Sequence, residues 1–141
     1  MLIDAALWFV LAAGHDGTRE FSCPPEVILS VVEARPPAGW RVLRGQGPVP
    51  DGPRVSLRGI RIIDGEPVLD EPAATLVPDN VDRLDVETTA RWELNANRDT
   101  WLACDYGALD LVRHVGKVRR CLIAHYVGHG ARGRVECEAA D

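Results

Sequence analysis

Histidines, acids and cysteines are the residues of this 141-residue chain that could do chemistry, and their spacing limits which chemistry is open to them. His125 and His129 stand four apart, as paired zinc ligands do on a helix. Gly128 and Gly130 break any helix there, and a strand-like alternation precedes them, so the pair reads as surface histidines flanking a turn. Asp79, Asp82, Asp85 and Glu87 could suggest calcium, but the spacing and central glycine of an EF-hand loop are missing. They read instead as a solvated acidic loop. Between Asp64 and Glu87 the chain holds eight acids and one arginine. A field of one sign steers proteins of the opposite sign, which makes these four acids the candidate contacts for a cationic partner protein. Asp105 beside Tyr106, or Asp99 with His114, could form an acid–base pair, but nothing in the sequence brings either pair together in space. The chain has no Gly-x-Ser-x-Gly elbow, phosphate-binding Gly-x-x-x-x-Gly-Lys loop, His-Glu-x-x-His or dinucleotide fingerprint. No catalytic residue, cofactor site or metal ligand is assigned, and the expectation is a protein that is not an enzyme.

The four cysteines speak more clearly. Gaps of 81, 17 and 16 residues lack the close Cys-x-x-Cys pairs of zinc sites, and an even count in a short chain favours disulfides in an oxidising compartment. Gly128-His129-Gly130 reads as a three-residue hairpin loop between strands at Val118–Val127 and Ala131–Glu138. Counting back in pairs from that loop sets Ile123 opposite Val135 and Cys121 opposite Cys137. Directly opposed residues lie within the span that a disulfide bridges. The favoured pairing is therefore Cys121 with Cys137 and Cys23 with Cys104. The alternative, Cys104 with Cys121 and Cys23 with Cys137, applies if Leu109–Val115 leaves the sheet.

The elements that would position these residues read mostly as short strands. Trp40–Arg44 alternates large apolar residues with arginine. Arg54–Ile63 alternates and then changes phase near Gly59, as a bulge would cause. Val27–Val32 is β-branched enough for a strand, although Glu26–Arg35 could make a short helix. Gly45–Pro53 is a surface loop, Asp64-Gly65 a turn, and Asp64–Asp85 too broken by proline for a long element. Val86–Asn95 and Trp101–Tyr106 read as strands, Gly107-Ala108 as a turn, Leu109–Val115 as a returning strand and Gly116-Lys117 as another turn. Trp40, Trp92 and Trp101 each fall inside an alternation and are assigned to the core or its edge. The fold class expected is an all-β antiparallel sandwich or small barrel, stapled by two disulfides, with room for one short helix.

Hydrophobic content of 46% with 26% charged residues suits a single soluble core, and a net charge of −5 argues against nucleic acid. Ala5–Gly14 is a ten-residue apolar run of signal-peptide size, too short to span a bilayer, although Asp4 stands where a basic residue is expected. This divides the chain into a signal-like segment and polar connection at 1–20 and one stapled domain at 21–141. Location is expected to be periplasmic or secreted, or cytoplasmic if residues 1–14 belong to the fold, with no stable membrane insertion after processing.

Cys23-Pro24, Gly39-Trp40, Asp64-Gly65-Glu66-Pro67, Leu76-Val77-Pro78-Asp79, Trp92, Trp101-Leu102-Ala103-Cys104-Asp105-Tyr106 and the later Cys121 and Cys137 resemble a family of small exported proteins of Gram-negative bacteria. The likeness covers about Phe21 to Cys137. It implies a periplasmic or lipoprotein setting and a kinship with inhibitor and immunity proteins that protect the envelope against toxins or lysozymes. The expected function is thus a periplasmic protein-binding module. A small envelope hydrolase and an envelope structural or small-ligand-binding module are the alternatives.

Overall fold

In the computed structural model, residues 17–45, 47–48, 50–68, 74–83, 85, 87–126 and 132–140 are described. Ala5–Gly14, the Gly128-His129-Gly130 loop, Val127 and Ala131 lie outside them.

The chain runs β1 (Thr18–Cys23), β2 (Glu26–Ile28), α1 (Leu29–Ala34), β3 (Arg41–Arg44), β4 (Arg54–Ser56), β5 (Gly59–Asp64), β6 (Asn80–Arg83), β7 (Glu87–Glu93), β8 (Asp99–Asp105), β9 (Leu109–Tyr126) and β10 (Arg132–Ala139). All strand pairings are antiparallel. The 18-residue β9 organises them. Its C-terminal half lies between β10 and β7 in a five-stranded layer ordered β1-β10-β9-β7-β6. Its N-terminal half lies between β3 and β8, and β5 completes this four-stranded layer beyond β8. β2 and β4 form a separate two-stranded ladder.

The two layers face each other as a sandwich. Ile62 and Leu102 of the smaller layer pack with Trp92, Cys121, Ile123, Val135 and Cys137 of the larger. The Trp92 indole N–H, which burial would otherwise orphan, donates to the Leu76 carbonyl at 3.0 Å. At one end, Val27, Val32 of α1 and Val55 close over Cys104, Tyr106, Leu109 and Leu111. There the Tyr106 hydroxyl donates to the Pro24 carbonyl at 2.6 Å, and burial pushes its pKa up.

Both disulfides follow the favoured pairing. Cys121–Cys137 joins directly opposed residues of β9 and β10, and Ile123 faces Val135 beside it. Cys23–Cys104 ties edge strand β1 of the larger layer to β8 of the smaller, so it links the two layers.

Several local readings change. Gly116-Lys117 is not a turn: Gly116 takes φ +96°, the register with β8 shifts at Thr100/Trp101, and β9 continues through the bulge into the second layer. The broken alternation was real, but a bulge breaks it as a turn does. Arg54–Ile63 is two strands, because β4 pairs with β2 and β5 with β8. Residues 26–34 begin as the short strand β2 and continue as the helix α1. β6 was missed within the proline-broken region, and β1 takes in Thr18–Glu20 from the supposed polar connection.

Candidate protein-binding surface

The predicted acids lie on or beside the β6–β7 hairpin at the edge of the larger layer. Asp79 precedes β6, and its carboxylate accepts the Glu93 backbone N–H at 2.7 Å, which holds the two strands together. Asp82 lies on β6 opposite Thr89, Asp85 is exposed in the connection, and Glu87 is half-buried at the start of β7. Among the described residues, Asp82, Asp85 and Glu87 form no ion pair. Among the described residues, the hairpin therefore carries three acids without an ion-pair partner.

Inward on the same sheet face, residues of wet parity from β9, β10 and β1 come into register with those of the hairpin. One row runs Glu20, Glu136, Leu122, Arg91 and Asn80, and the next runs Ser22, Arg134, Ala124, Thr89 and Asp82. Ion pairs tie most of this face together: Arg134 with Glu20, Arg120 with Glu93 at 3.0 Å, Arg91 with Glu93 at 3.6 Å and Arg119 with Glu138 at 3.0 Å. At the centre Leu122 is 45% exposed beside a hollow of about 350 Å³. Sequence reasoning missed Leu122, Arg91, Arg134 and Glu136. One signal was available for Leu122, an apolar residue between Arg120 and Ala124 on the face opposite Cys121 and Ile123.

The outer face of the smaller layer buries Ile63, Ala103 and Val112 beneath Leu43 and Trp101, and its charged groups pair above them. Arg41 lies over the Trp101 ring, 4.9 Å from its centroid, and bonds Glu66 at 3.1 Å. Trp101 contacts the His114 ring at 5.0 Å. Arg61 reaches from β5 across β8 to pair with Asp110 of β9, passing the small residue Ala103 that stands opposite it in register. Burial pushes the Asp110 carboxyl up to about 6; Arg61 pulls it down, and Asp105 adds to the rise.

The suggested acid–base pairs resolve differently. Asp105 accepts the Gly107 N–H at 2.7 Å and Tyr106 bonds Pro24, so both serve the β8–β9 turn and the core. Asp99 and His114 do meet, at 3.1 Å, beside Asp64, Glu66, Arg98 and Trp101. Both partners are more than half exposed, and no hydroxyl or thiol lines the hollow around them. The pair is open to bulk water, which weakens the electrostatic effects that a catalytic centre relies on. His125 lies on the inner parity of β9 near the sandwich rim, where burial lowers its pKa; His129 falls outside the described residues. Among the described residues, no group of His, Cys, Asp and Glu could hold a metal ion, and no helix is long and apolar enough to cross a membrane.

A disulfide-stapled β-sandwich leaves the function to be argued from its surface, since one architecture hosts many functions. Residues 52–138, more than half of the chain, match the family described as the type VI secretion system Tli immunity protein, and the chain belongs to that family. It is accordingly a periplasmic immunity protein, which acts by binding a toxin rather than by catalysis. Neither a curated protein nor a solved structure gives a significant match to the chain. The matched segment spans β4 to β10, including three of the four cysteines and the whole β6–β7 hairpin.

Proposed function

We propose that this immunity protein neutralises a cationic type VI toxin in the periplasm by stoichiometric binding, with Asp82, Asp85 and Glu87 of the β6–β7 hairpin meeting the basic surface and Asp79 holding the hairpin in shape. The observation that carries the reading is that these acids of the hairpin have no ion-pair partner among the described residues, on a protein of net charge −5. Charge of one sign at a rim raises the rate of encounter more than it lengthens the life of the complex. It is also screened over about 8–10 Å at ordinary ionic strength.

The test is binding kinetics against a cationic type VI effector from the same bacterium, purified with its active centre inactivated. Replacing Asp82 and Asp85 together by lysine should slow association at least about tenfold at low salt and flatten its salt dependence. Protection of a periplasmic host against the active effector should fall in parallel. An association rate insensitive both to salt and to these substitutions would refute the charge-directed reading.

A further inference from the structure

The acidic hairpin forms one margin of a wider surface, and the centre of that surface has a different chemistry. Glu136 of β10 and Asp82 of β6 stand on opposite sides of Leu122, separated by β9 and β7 and offset by two residues along the strands, so about 16 Å apart at the usual strand spacing and rise. Among the described residues neither acid is in an ion pair, whereas the cations between them are occupied: Arg91 by Glu93, and Arg134 by Glu20. Leu122 lies between them, with Ala124 beside it on the same face. An apolar centre inside a charged rim is the anatomy of interface hot spots, because the rim keeps water from the central contact. The ion pairs along the face also restrain long side chains before any partner arrives, which lowers the ordering cost of docking.

We infer that the outer face of the five-stranded layer is the docking surface for the toxin, with Leu122 as its central anchor. The fitting partner presents an apolar side chain to Leu122, flanked by basic residues that reach Asp82 on one side and Glu136 on the other. The inference rests on the reading of a cationic toxin given above, and places the main contact at the sheet centre rather than at the tip of the hairpin. Charge complementarity selects the partner: the two acids left open on this face call for cations, and the existing arginines already have partners within the protein.

Titration calorimetry of the full chain against the same inactivated effector tests this directly. Leu122→Asp should weaken binding at least about 30-fold, the size of effect expected for a central anchor. Because Leu122 is already partly exposed, melting and far-ultraviolet circular dichroism should stay close to wild type. Glu136→Gln should weaken binding about 3- to 10-fold and reduce its salt dependence, while Asp51→Asn, an exposed acid in the loop before β4, should change affinity less than twofold. Should Leu122→Asp fold poorly, Thr89→Arg, on the same face, is expected to block docking to a similar degree. Wild-type affinity in a folded Leu122→Asp or Thr89→Arg protein overturns the sheet-centre inference. If Asp82 and Asp85 variants still lose binding in that case, the charge-directed reading stands alone. If the wild-type chain binds the effector equally well at every salt concentration, the charge-directed reading fails with it.

Discussion

Removing the Cys23–Cys104 bridge should cost this protein more stability than removing Cys121–Cys137, and the difference is set by chain connectivity. All four cysteines are buried, at 3% exposure or less, so replacing either pair by alanine leaves defects of similar kind in the core. The bridges differ in the length of chain they close, with sequence separations of 81 and 16 residues. Loop-closure entropy assigns about 4.5 kcal/mol to the longer loop and about 3 kcal/mol to the shorter. The Cys23→Ala/Cys104→Ala protein should therefore be less stable than the Cys121→Ala/Cys137→Ala protein by about 1.5 kcal/mol. The loops do not overlap in sequence, so the two contributions should be nearly independent. Urea unfolding followed by tryptophan fluorescence, with an m-value of about 2–3 kcal/mol/M, should place the two midpoints about 0.5–0.7 M apart. The position of the long bridge adds to the asymmetry, since it joins the two layers while the short one joins strands already paired by a ladder. Equal midpoints, or a lower midpoint for the short-loop variant, would refute the argument.

The remaining predictions concern two unusual positions on β9. Asp110 is held at about 6 against a usual value of 3.8, so the folded state binds more protons than the unfolded chain across that interval. Its contribution to stability falls as pH rises from about 4 to about 6, by up to about 3 kcal/mol. Asp110→Asn should accordingly gain stability relative to wild type as pH is raised from 4 to 7, measured by urea midpoints at each pH; a loss over that range would mark Asp110 as an ordinary stabilising ion-pair member. Gly116→Ala places a side chain at φ +96° and against the Arg19 guanidinium, which bonds the Val115 carbonyl. It should destabilise by about 1–3 kcal/mol, seen as a lowered thermal midpoint, and an unchanged midpoint would show that the bulge does not need its glycine.

The sequence by itself determined what depends on neighbours along the chain. The two-residue period of strands and the glycine-flanked hairpin loop were enough to place Cys121 opposite Cys137 and Ile123 opposite Val135, because register propagates from a loop along a ladder. That favoured Cys23 with Cys104 by elimination, while the alternative of Cys104 with Cys121 and Cys23 with Cys137 was closed only by the structure. The acidity of residues 79–87 was equally legible as composition. Only the tertiary structure decided which strands lie side by side. It made β9 one strand shared by two layers, where a glycine bulge and a turn leave the same break in alternation. It brought Asp99 to His114 and took Asp110 out of water beneath Arg61. It also gathered Glu136, Leu122, Arg91 and Asp82 from four strands onto one face. A periodic pattern tells which way a residue points from its own strand; pairing between strands distant in sequence decides what it points toward, and a binding surface is made of the second kind of information.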